Sequence, residues 1–150
     1  MRFKFAVPAI FALSLSFILP SSAETDVVPL KMTPGLWEMR QVASILSPVQ
    51  INVFDMTETD CTSSTGFDPI AMADFAGQEC VLTNVESGPE ALSYMASCAN
   101  PEARALSWGT FSSSGEQITG EMYLQVTDPP LARVEQKTEL TITRKGMCPL

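Results

Sequence analysis

The residue types that could do chemistry are few here. With no His in the sequence, neither a Ser-His-Asp nor a Cys-His arrangement can be assembled. Serines are plentiful and Lys31, Lys137 and Lys145 are available, but no recognisable Ser–Lys spacing accompanies them. Three acids crowd into "DMTETD" at 55–60, where paired carboxylates could move protons or hold calcium. Strand-like alternation sends Asp55 to one face and Glu58 and Asp60 to the other, as on a solvated strand, and the Asp-x-Asp-x-Asp-Gly spacing of an EF-hand is absent. Of eight methionines, seven lie past Met1: Met32, Met39, Met56, Met72, Met95, Met122 and Met147. Clustered thioethers can bind copper(I). These are spread one per element, as gap-filling core residues are. The residues therefore point to no catalytic site, no metal site and no cofactor.

Cys61, Cys80, Cys98 and Cys148 carry the clearest chemistry. No Cys-x-x-Cys occurs, and zinc would need all four thiols at wide spacing. An even count behind an export signal suits two disulfides. Residues 80–98 read "CVLTNVESGPEALSYMASC", two β-prone runs around a Ser-Gly-Pro-Glu turn. A hairpin centred on Pro89 sets Cys80 directly opposite Cys98, within reach of a bridge. Cys61–Cys148 is then the second pair, tying the chain end to the first half. Chain-entropy arithmetic gives about 3 kcal/mol for the short loop and about 4.5 kcal/mol for the long one.

The compartment follows from the start of the chain. Met1-Arg2-Phe3-Lys4 precedes an apolar run from Phe5 to Leu19, then Pro20-Ser21-Ser22-Ala23. A basic start, an apolar middle and small residues at Ser21 and Ala23 read as a secretory signal peptide over 1–23. The run is short for a bilayer span of ~20 residues, so no membrane span is expected after cleavage. The remaining 127 residues keep 7 basic and 17 acidic side chains, a net charge of −10. Such a chain is repelled by nucleic acid and by an anionic membrane surface.

The elements that would position these residues alternate with period two. Residues 24–34 read as an extended lead-in, opposed to regular structure by Pro29 and Pro34. One all-β domain over 35–150 follows. Strands are expected at 36–46, with Trp37, Met39, Ala43 and Ile45 on one face, and at 49–60, 80–87, 91–99, 103–112, 117–127 and 133–144. Asp68, Pro69 and Gly77 predict one short helix over 69–76. Turn centres near 115 and 130 set Trp108 opposite Met122, and Met122 opposite Thr138. The fold class is thus all-β: an antiparallel meander of about seven strands, curled or barrel-like, with one short helix and two disulfides.

Taken in order, several stretches match a known pattern. They are Pro34-Gly35-Leu36-Trp37-Glu38, Cys61, the Cys80…Cys98 hairpin, "WGTFSSSGEQITGEMY" at 108–123 and "RKGMC" at 144–148. Together they resemble the bacterial exported proteins of domain-of-unknown-function family 3617, over nearly the whole mature chain. Members often end in Arg-Ile-Gly-x-Cys, where this chain has Arg144-Lys145-Gly146-Met147-Cys148. The resemblance implies an exported protein in the periplasm of a Gram-negative bacterium, and it brings no assigned activity.

Two tryptophans remain. A curled sheet can enclose an apolar pocket, and Trp37, Met39, Trp108, Met122 and Leu124 would either line its concave face or fill the core. A domain this small needs large side chains to bury enough surface. That favours Trp37 as a plug, with Pro34 and Gly35 marking where the first long strand begins. The expected function is a non-catalytic binding or interaction domain. Its partner is a protein met through an edge strand or a small apolar ligand on the concave face. An envelope enzyme and a purely structural envelope protein are the alternatives.

Overall fold

Period-two alternation resolves into one antiparallel ladder. The computed structural model describes residues 26–72, 79–99, 104–127 and 133–149, so the expected signal peptide and the second half of the expected helix lie outside the described residues. The elements are β1 (Leu30–Lys31), β2 (Gly35–Ser47), β3 (Ile51–Thr62), β4 (Gly66–Phe67), α1 (Pro69–Met72), β5 (Glu79–Ser87), β6 (Ala91–Ala99), β7 (Arg104–Ser113), β8 (Gln117–Thr127) and β9 (Val134–Gly146). Asp68 caps α1 as its sequence suggests, accepting the Ile70 amide at 2.9 Å.

The seven long strands form a single sheet in the order β3-β2-β9-β8-β7-β6-β5. From β5 to β9 the chain meanders, each strand beside the next. The β2–β3 hairpin then adds to the far side of β9, with Met39 opposite Ile142 and Trp37 opposite Arg144. The sheet is open: among the described residues β3 and β5 each pair with one neighbour only.

One face of the sheet is apolar. Trp37, Leu92, Tyr94, Phe111, Ile118, Leu140 and Ile142 are buried there together. Phe111 lies over Gly120 on the facing strand, whose missing Cβ leaves room for the ring. A strap formed by β1, β4 and α1 covers this face, and Leu30, Phe67 and Ile70 pack into the core from it. The described part of the lead-in, 26–34, is therefore tied into the fold. Lys31 N–H donates to Pro89 O at 2.7 Å and Thr33 N–H to Gly115 O at 2.9 Å, which pins the strap across two hairpin ends.

The opposite face mixes polar side chains with scattered apolar ones such as Val81 and Met95, and it carries one aromatic row. Here the structure corrects the expected register. Trp108 pairs with Tyr123, and Met122 with Gly109. The β7–β8 turn is centred half a residue beyond Gly115, and with side chains alternating in period two that half step sends Trp108 to the outer face. Trp108 and Tyr123 stack at 5.3 Å with planes 6° apart. Lys137 sits 5.9 Å from the Tyr123 ring and bridges Glu121 at 2.7 Å and Glu139 at 3.0 Å. It thereby neutralises two acids that would otherwise face each other across β8 and β9.

Candidate functional site

The five expected pocket or core residues part company. Trp37 is 3 % exposed, and its indole N–H donates to Thr33 O at 2.9 Å. A buried ring with its one donor satisfied is a core plug. Met39 and Met122 are partly buried against the same core. Leu124 shares their face further along β8, opposite Ser107. Trp108 belongs to the other face, so no site combines the two tryptophans.

Beside Trp37 the inner face is not filled. A hollow of about 300 Å³ opens between β2, β3, β9 and the strap. Trp37, Met39 and Ile142 form its floor, Met32 and Phe67 its strap side, and Glu58 and Asp60 its margin on β3. The two acids are successive inner-face positions, opposite Met39 and Trp37. Asp55 points the other way and is clamped by Arg40 through Nε at 3.0 Å and Nη2 at 2.6 Å. That bidentate bond holds its carboxyl below the ordinary carboxylate range. The acids of 55–60 divide between faces as alternation demands. The lysines are occupied too: Lys31 with Glu90, Lys137 with Glu121 and Glu139, Lys145 with Glu38.

Of the two expected disulfides, one is formed. Cys80 and Cys98 pair in register and are bonded, with Cα atoms 4.0 Å apart. Cys61 and Cys148 are not bonded; both are exposed thiols. They are nonetheless neighbours in one shallow hollow with Pro34 and Gly35. A hydrogen bond to Cys148 pushes the Cys61 thiol up to about 11. Register explains the meeting. Leu36 has Cys61 on one side and Gly146 on the other, so the chain end must cross the start of β2 to reach β3. It crosses at Gly35, at φ 150°, where a Cβ would run into Gly146 O and the Arg144 guanidinium.

The remaining candidate surface is the edge strand β3. Every residue from Ile51 to Cys61 is exposed. Ile51 and Val53 are 50 % and 51 % exposed, with Phe54 and Met56 also on the surface. From Phe54 to Thr62 its pairing with β2 is unbroken, so its outer side presents a regular row of backbone groups. The other edge is blunted. β5 carries an irregularity between Leu82 and Asn84 and is stapled to β6 by the disulfide.

A family model matches residues 32–148, from the strap through the last cysteine. The chain belongs to DUF3617. That family is described as a protein of unknown function, so the membership assigns a group and no activity. No curated protein and no solved structure matches the chain. The DUF3617 match takes in all three features: the hollow, the β3 edge and the Cys61/Cys148 pair.

Proposed function

We propose that this chain is an exported, non-catalytic binding module that engages a protein partner by strand addition along β3. The observation that carries the reading is an edge strand of twelve residues that is exposed from Ile51 to Cys61. An unpaired edge is a template for an extended segment, whose main chain supplies the hydrogen bonds and whose alternate side chains supply specificity. Charge selects the occupant. β3 bears Asp55, Glu58 and Asp60 and neither Lys nor Arg, so a second copy of β3 would bring like charges together. A basic segment is complementary. The signal-like residues 1–23 and the Cys80–Cys98 bond support export into an oxidising compartment, the periplasm.

Amide hydrogen exchange with an extended Lys/Thr-alternating peptide tests the partner mode. Protection is expected at β3 amides within 54–62 and not along β5, and it should fade as salt rises. Unprotected β3 amides at millimolar peptide would remove this reading and leave the structural or enzymatic alternatives. Export is tested separately: the intact mass of protein from the periplasmic fraction should begin at Glu24. A small ligand on the concave face is favoured by a different observation, the unfilled hollow beside Trp37.

A further inference from the structure

The hollow beside Trp37 has an apolar floor and two carboxylates at its mouth. Trp37 and Ile142 are buried, and Met32, Met39 and Phe67 pack against them. At about 300 Å³ the space stands at the lower end of ligand pockets, which run from roughly 300 to 1,000 Å³. Glu58 and Asp60 flank the opening, and among the described residues neither enters an ion pair. Asp60 is held in place: its Oδ1 accepts the Cys61 amide at 2.8 Å. Both Ser64 donors of the neighbouring turn are spent within it. The Ser64 hydroxyl donates to Gly66 O at 2.6 Å and the Ser64 amide to Thr62 Oγ1 at 3.0 Å.

Each class of ligand fares differently in such a site. An anion meets the repulsion of two carboxylates that no cation of the lining offsets. A neutral apolar molecule fills the floor but crowds the carboxylates without giving them a partner, which costs desolvation. A cation with an apolar body gains on both counts, because its head takes charge-assisted hydrogen bonds while its stem covers Trp37 and Met39. We infer that this hollow binds a small organic cation, a primary ammonium group on a short alkyl or aryl body. The ammonium sits at Glu58 and Asp60 and the body on the floor. The site is complete without any strand added to β3, so it stands or falls apart from the partner mode proposed above.

The methionines report on it directly. In the mature chain labelled with ¹³C-methyl methionine, n-hexylammonium is titrated beside n-hexanol and n-hexanoate. Saturable shifts of the Met32 and Met39 methyls are expected with the ammonium, while Met95 and Met147, outside the hollow, stay still. The double variant Glu58→Gln/Asp60→Asn should weaken binding by about tenfold or more, as loss of a charged hydrogen bond does. Both positions are exposed, and unmoved Met95 and Met122 signals verify that the variant keeps its fold. Equal affinity for hexanol, or an unaffected variant, would show that the hollow reads only the apolar body and would overturn the assignment. So would the absence of saturable shifts at millimolar ammonium.

Discussion

Trp37 and Trp108 sit on opposite faces of one sheet, and the difference is measurable. Trp37→Ala empties a buried position and leaves Thr33 O without its donor, so a loss of about 3–5 kcal/mol is expected from urea unfolding. Trp108→Ala forfeits a half-buried stack, and a loss nearer 1 kcal/mol is expected. The reverse order would mean that the outer row, not the inner face, carries the core. The cysteines give a second measurement. Cys80–Cys98 is closed and Cys61 and Cys148 are adjoining thiols, so the protein should be two hydrogens light when isolated under mild reduction. Full oxidation should make it four hydrogens light. While reduced, Cys61 should resist alkylation at neutral pH and react faster only as pH approaches 11, because the thiolate is the nucleophile.

At the scale of the element, the β2–β3 hairpin is held on its outer face by Arg40 and Asp55. Asp55 titrates below its ordinary value of 3.8 because Arg40 hydrogen-bonds its ionised form. A carboxyl whose folded pKa is depressed stabilises the fold above its unfolded pKa and loses that contribution as pH falls through the folded one. The pair should therefore support the hairpin down to about pH 4 and fail below it. Arg40→Gln should return the Asp55 titration, read by carboxyl NMR, to near 3.8. Strands were legible in the sequence wherever alternation and turn residues agreed. Cys80 faces Cys98, and Met122 faces Thr138. The exception is instructive. Ser114-Gly115-Glu116 marks a turn but not whether its centre falls on a residue or between two, and Trp108 changes face on that distinction. The hollow was less legible still. Of its floor residues, Trp37 and Met39 were expected to line or fill the concave face, but the strap that walls it comes from around β1 and β4, two-residue strands that leave no periodic signal.

For the whole molecule, the decisive contact is β2 against β9, from Leu36–Gly146 to Ser47–Glu135. Nothing local announces it. A hairpin is signalled by its turn, whereas partners about a hundred residues apart share only their apolar faces. The pairing sets the two candidate surfaces at one end of the sheet, since β3 is an edge only because β2 docks on β9. It also makes the core depend on the first and last strands together, so Leu140→Ala should destabilise by about 2–5 kcal/mol in a single two-state transition. Separate β2–β3 and β5–β8 transitions would contradict that dependence.

The same pairing has a consequence in time. A chain is made, and threaded across any membrane, from its N-terminus, so β2 and β3 emerge first and β9 almost last. Until residues 134–146 arrive, β2 has no partner on its inner flank, β8 is a raw edge, and Trp37 has no Ile142 beside it. Once β8 has emerged the molecule is two unfinished sheets with raw borders at β2 and β8, and its last strand is the clasp that joins them. An unfinished chain of this kind is a natural client for a holding chaperone, and one cut before Val134 should be recovered with such a chaperone or in aggregates.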